Sequence, residues 1–330
     1  MQPLSHRQRI ENCIAGAPID RVPVALWRHF PVDDQTPGGL AAAVIDFQNR
    51  YDFDLVKITP ASSFCLKDWG CRDVWRGNPY GTRDYTDHPV RVPEDWRKLP
   101  VLDPAKGYLG QQLECVQMIR NQLPASTPVI QTIFSPLAQA KNLVGGDKLL
   151  THLRKYPDAV QAGLEIIAQT TILFIRQLYK MNIDGIFYAL QHASYHLLND
   201  VEYAVFGKPY DLQILAEAKG WWLNILHLHG DDVMFDAVVD YPVAVINWHD
   251  QETPPSLSQA QAQFKGVVCG GVRQWDRLAL GSPEEVKQDA LRAIRETGSK
   301  RFILGTGCVT PIITPHGNIL ALKESVTQMQ

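Results

Sequence analysis

The chain has 330 residues, 45% apolar and 20% charged, with a formal net charge of −3. A chain this long buries a large core without disulfide staples, and its near-neutral charge argues against nucleic acid or an anionic membrane as partner. The six cysteines form no CxxC pair and are too few, in so long a chain, for a disulfide scaffold.

The opening segment MQPLSHRQRIENC is polar and lacks the apolar centre of a signal peptide. The most apolar run, Thr171 to Tyr179, is too short to cross a bilayer. Together these point to a reduced, cytoplasmic protein, read as one domain over 1–330. Ser5 and Gln8 match a capping box and Gly16 a helical stop, so a short helix opens the chain.

Eight short apolar runs follow, each bounded by Gly, Pro, Asp or Asn. They are DRVPVAL (20–26), FDLVKI (53–58), PVIQTIF (128–134), IDGIFYAL (183–190), WLNILHLH (222–229), PVAVINW (242–248), GVVCGG (266–271) and RFILGTG (301–307). Strands buried on both faces of a parallel sheet read this way. Helical patterns lie between most of them, at 38–50, 157–181 and 282–297, and a last helix runs from Thr314 to about Val326. Segment 282–297 is the clearest, with Ser282 as cap, Pro283 first, Glu285 completing the box and Gly298 as stop. This alternation predicts an α/β fold, a (β/α)8 TIM barrel with an N-terminal helix. An open doubly wound sheet would want a glycine-rich turn after the first strand, and WRHFPVDD at 27–34 is not one. Residues 62–127, with Trp69, Trp75, Tyr80, Tyr85 and Trp96, read as an insertion after strand two that forms a lid or an interface.

In such a barrel the chemistry sits at the C-terminal strand ends. There the sequence places Arg28, His29, Lys57, Thr59, Ser135, Gln191, His192, Ser194, His227, His229, Asn247, Trp248, His249, Arg273 and Cys308. Of these, Arg28, His29, Lys57, Gln191, His192, Asn247 and Trp248 are the expected substrate-binding residues. His227 and His229 are two apart in a strand and so share a face. Cys308 leaves the last strand at the same end. Two His and one Cys, with a fourth position open, suit a catalytic zinc, and a thiolate excludes purely oxygen-loving metals. The same residues also read as two strand-end imidazoles bonded to carbonyls beside a buried small hydrophobe.

The opening helix with GAPIDRVPV, the HxHGD turn at 227–231, INWHD at 246–250, GGV at 270–272, RFILGTGC and TPHGNILALKESV at 314–326 resemble the uroporphyrinogen decarboxylase superfamily over nearly the whole chain. The resemblance implies a barrel with a cleft at its C-terminal face and one of two activities. Decarboxylases of this kind carry two Arg four apart after strand one, an Asp after strand two and a His after the last strand. Here Val32 stands at the second Arg, ITPASSF lacks the Asp, and Cys308 takes the His position. The zinc-dependent branch transfers methyl groups between a corrinoid and a thiol such as coenzyme M, and holds zinc with a His-x-Cys pair and a later Cys. Here His229 replaces the first of those cysteines and Cys308 matches the second. The resemblance thus implies a methyltransferase with zinc on His227, His229 and Cys308, and a corrinoid donor, free or on a partner protein. It also implies a small-molecule substrate and a homodimer. Uroporphyrinogen decarboxylation, and a barrel that binds a tetrapyrrole or corrinoid without turnover, stand as the alternatives.

Overall fold

The computed structural model describes residues 3–327, so Met1 and Gln2 of the polar opening segment lie outside it. Nine strands occur among the described residues: β1 Val56–Ile58, β2 Arg72–Val74, β3 Asp84–Asp87, β4 Val129–Phe134, β5 Gly185–Leu190, β6 Ile225–Leu228, β7 Val245–Trp248, β8 Val267–Val272 and β9 Phe302–Thr306. Seven form one parallel, curled sheet in the order β1-β4-β5-β6-β7-β8-β9, while β2 and β3 pair as an antiparallel hairpin. Parallel neighbours need crossovers, and helices supply them. Pro37–Tyr51, Gly107–Gln122, Pro157–Leu178 and Pro283–Glu296 are the longest.

The period-two alternation of strands divides the apolar residues into two cores. Val56, Ile58, Ile186, Tyr188, Leu226, Leu228, Ile246 and Trp248 face the surrounding helices. Ala25, Trp27, Leu55, Ile130, Phe187, Ile225, Val245, Cys269 and Ile303 fill the inside of the curled sheet.

The strand expected at 20–26 is not a regular strand. It makes one parallel bridge, Val24 to Leu304. Pro23 has no N–H to give and only accepts, from the Leu304 N–H at 2.9 Å, while the Ala25 N–H donates to the Leu304 carbonyl at 2.9 Å. On the β1 side the Asp54 N–H donates to the Val24 carbonyl at 2.9 Å. The segment thus hydrogen-bonds toward both edges of the seven-stranded sheet.

Two further expectations are corrected. The stretch 62–127 is not all insertion: β2 and β3 lie in it, but Gly107–Gln122 is the crossover helix before β4. That helix has no local cap. Asp68, forty residues earlier, accepts from the Tyr108 N–H at 2.9 Å and the Leu109 N–H at 3.2 Å, so no capping signal stands beside it in the sequence. The apolar run at 171–179 is part of a longer element, 157–181, that meets the length and composition of a membrane-crossing helix. In this fold 56% of its most apolar window is buried against the rest of the chain.

Asp54 fastens the irregular segment. Its side chain is fully buried and accepts from the Val24 N–H at 2.7 Å, Arg21 Nη1 at 2.7 Å, Arg9 Nη1 at 2.6 Å and His6 Nδ1 at 2.9 Å. Burial alone would raise its carboxyl, but His6, Arg21 and Arg9 outweigh it and hold the group below its ordinary value. Replacing Asp54 by Ala leaves the Arg21 guanidinium and the Val24 N–H without their buried partner, while Arg9 keeps Asp20 at 2.6 Å, and we expect a loss of about 3 kcal/mol in urea unfolding. A depressed carboxyl contributes stability above its unfolded value near 4, and that stability disappears as pH falls through the folded value. The wild type should therefore lose more stability than Asp54→Ala between about pH 5 and pH 2. Parallel losses in the two proteins would show that Asp54 carries no such charge.

Candidate metal centre

The inward parity of each strand continues into polar residues at its C-terminal end. Inside the sheet, Leu55 is followed by Lys57 and Thr59, Ile225 by His227 and His229, Val245 by Asn247 and His249. Trp27 is followed by His29, and Ala189 by Gln191. Cys308 arrives through a turn after β9, in which the Thr306 hydroxyl donates to the Cys308 carbonyl at 2.6 Å.

The ligand atoms of His227, His229, His249 and Cys308 all lie within 4.8 Å of one another. Cys308 Sγ is 3.7 Å from His227 Nε2 and 3.5 Å from His229 Nδ1. In a tetrahedral zinc site, bonds of 2.0–2.1 Å to nitrogen and 2.3 Å to sulfur put N and S about 3.5 Å apart. Cys308 therefore stands from His227 and His229 at about the spacing such an ion requires.

Their lone pairs are oriented as well. Asn247 donates both amide hydrogens, to the Cys269 carbonyl at 2.9 Å and the Thr306 carbonyl at 3.0 Å. Its Oδ1 is then the atom facing His227 Nδ1 at 2.7 Å and accepts from it. His227 must carry its proton on Nδ1, which leaves the Nε2 lone pair toward Cys308. Burial lowers the His227 pKa and so favours this neutral form. His249 Nδ1 donates to the Glu252 carboxylate at 3.0 Å. Its Nε2 is buried with no hydrogen-bond partner. Burial would lower this imidazole, but Cys308 and Glu252 outweigh it and hold the group up at about 10, so a cation at the centre of the four donors would take the place of its proton. A second hydrogen bond that fixes the tautomer is what metal-binding histidines ordinarily have. Burial would raise the Cys308 thiol, but His227 and His229 outweigh it and hold it well below its ordinary value.

The centre opens on a cavity of about 550 Å3. Trp27, Phe134 and Phe187 give it apolar walls, and Lys57, His29, Thr59, Thr132 and Gln191 supply polar groups. Thr82 to Tyr85, from the hairpin between β1 and β4, cover one side, with Arg83 held by Asp34 at 2.6 Å. This part of the insertion forms cavity wall. A second cavity of about 380 Å3 adjoins through His229, Gln191 and Lys141.

Of the expected substrate-binding residues, His29, Lys57 and Gln191 line the larger cavity. His192 lines only the second, where burial, Lys141 and His229 push it down to about 3 and keep it neutral. Three others are placed differently. Arg28 alternates outward and lies over the rings of Phe30 at 5.0 Å and Phe47 at 5.7 Å. Trp248 is fully buried among the helices, donating Nε1–H to the Pro255 carbonyl at 3.0 Å and packing on Phe235. Asn247 points inward but is spent on orienting His227. Sequence reading left His249 without a role. The signal was present, since His249 stands two residues after Asn247 just as His229 follows His227.

The family model described as "Uroporphyrinogen decarboxylase (URO-D)" matches residues 5–329. Uroporphyrinogen decarboxylase of Sorangium cellulosum is 27% identical over 241 residues, 68% of this chain and 66% of that protein. That of a Synechococcus species is 26% identical over 136 residues, 40% of this chain and 38% of that protein. In both, less than two thirds of the relative's length is matched. Among solved structures, a methyltransferase from Methanosarcina mazei superposes with a TM-score of 0.86 at 18% identity, covering 98% of this chain and 99% of that one. A B12-independent methionine synthase from a Shewanella species gives 0.54 at 13% identity, covering 94% and 92%. At such identities the likeness concerns the fold.

The electrostatics separate Cys308 from the other cysteines, of which burial pushes Cys13, Cys71 and Cys115 up to about 12. In chelator-treated protein at pH 7, iodoacetamide should modify Cys308 at least about tenfold faster than any other cysteine, as read by peptide mapping. Uniform labelling, or none at Cys308, would contradict the assigned charge state.

Proposed function

The chain belongs to the uroporphyrinogen decarboxylase family, and from that premise we propose that it is a zinc-dependent methyltransferase acting between a corrinoid and a thiol. The observation that carries this reading is the convergence of His227, His229 and Cys308 on one point, with the unpaired Nε2 of His249 beside them. A set of three nitrogens and one thiolate suits zinc and disfavours magnesium or calcium. When bound there, zinc would lower the pKa of a thiol and keep it as the nucleophilic thiolate near neutral pH. Asn247 fixes the lone pair of His227, and Glu252 that of His249. Trp27, Phe134 and Phe187 limit the water around the reacting groups. The fold it shares with the Methanosarcina mazei methyltransferase supports the same reading.

His249 bears on how the site would work. Four protein donors saturate a tetrahedral ion, whereas catalytic sites keep one position open. His249 is tied to a carboxylate and His229 is the exposed member of the set, so His227, His249 and Cys308 would hold the ion and the His229 side would face an incoming thiol. Uroporphyrinogen decarboxylation has less support, although two relatives bear that name. Arg28 faces away from the cavity, and Val32 stands where that chemistry would want a second arginine.

Elemental analysis of the purified protein should find about one zinc per chain, and His227→Ala and Cys308→Ala should each lose it. Asn247→Ala should weaken zinc binding about 10- to 100-fold while keeping the fold, as removal of an outer hydrogen-bond partner does. A labelled methylcorrinoid should then pass its methyl group to a thiol in the zinc-loaded protein alone. Protein that takes up no metal after incubation with zinc would overturn the proposal.

A further inference from the structure

Lys57 lies in the middle of β1, opposite Ile130 in the register, and only 6% of it is exposed. It reaches into the larger cavity from the inward face of the sheet. Its Nζ makes one hydrogen bond, to Thr59 Oγ1 at 3.1 Å, and the Thr59 hydroxyl in turn donates to the Lys57 carbonyl at 3.3 Å. The remaining surroundings are aromatic, with the Phe187 ring centre 4.4 Å from Nζ and that of Trp27 at 5.9 Å. No carboxylate pairs with it among the described residues. An ammonium without a counter-ion is costly in such a place, and the neutral amine is not.

A buried, unpaired amine at the wall of a cavity of about 550 Å3 is a nucleophile with room for a partner. We propose that Lys57 is a reactive amine that condenses with an aldehyde or ketone of apolar or aromatic body admitted to this cavity, forming an imine. The Nζ lone pair attacks the carbonyl carbon and a C–N bond forms. The nitrogen gives up both hydrogens, the carbonyl oxygen takes them and leaves as water, and nothing is oxidised or reduced. Thr59 Oγ1 is positioned to accept a proton from Nζ and relay it. Trp27, Phe134 and Phe187 offer the flat apolar contacts an aryl group would use. Burial holds the Lys57 ammonium at about 7, against the negative charge on Cys308, so about half is free amine at neutral pH. An exposed lysine near 10.4 is free amine to less than about one part in a thousand there.

Benzaldehyde and sodium cyanoborohydride at pH 7, with chelator-treated protein, give the test. The reductant converts an imine to a stable secondary amine, which peptide mapping locates without any metal. Lys57 should be labelled at least about tenfold faster than any other lysine. Lys57→Met should lose that adduct, and Lys141→Met, which changes the other lysine of the same wall, should leave its rate within about twofold. The wild-type map alone decides the matter if Lys57→Met unfolds, as its melting curve would show. Labelling spread over other lysines with no preference for Lys57 overturns the proposal and leaves the metal-site reading untouched. Loss of zinc binding in the tests of that reading would likewise leave this one standing.

Discussion

Side chains of a strand point alternately to its two faces, and every part of the site depends on that period of two. In a curled parallel sheet one parity packs on helices and the other meets its counterparts at the centre. The inner set begins as apolar core and turns polar at the C-terminal strand ends. His227 and His229 from one strand, and Asn247 and His249 from the next, arrive together for this reason. The register that pairs His227 with Asn247 also puts the orienting amide beside the imidazole it orients.

A polar group buried without a partner is costly, and this centre resolves nearly all of its own. The Asn247 hydrogens go to the Cys269 and Thr306 carbonyls, the His227 proton to Asn247 and the His249 proton to Glu252. What remains is one thiol held toward its anionic form with three imidazole rings around it, and against burial Cys308 and Glu252 hold that of His249 up at about 10. Packing alone does not explain it, since three imidazoles and a thiol are polar groups placed together where apolar side chains would fill the space.

Much of this was legible in the chain. Seven of eight apolar runs are strands of one parallel sheet, because alternation of apolar runs with capped helices has few other solutions. The convergence of His227, His229 and Cys308 was legible from spacing and resemblance together. The remainder was hidden for identifiable reasons. The first run carries Pro23, and its hold on the sheet comes largely from Asp54 and the Arg9 and Arg21 that partner it, contacts no local pattern displays. The helix Gly107–Gln122 takes its cap from distant Asp68. Arg28 and Trp248 were placed at the strand ends correctly but on the wrong face, because a one-residue step reverses the side of the sheet. Applying the alternation from His227 outward would have rejected Trp248 and selected His249.

On the proposed reading, three imidazoles and one thiolate surround a single zinc ion. X-ray absorption at the zinc edge of the purified protein reads that first shell directly. One sulfur at about 2.3 Å and three nitrogens at about 2.0–2.1 Å are expected, with the sulfur contribution gone in Cys308→Ser. A shell of oxygen and nitrogen alone in the wild type would contradict it, because Cys308 would then stand outside the centre it is said to complete.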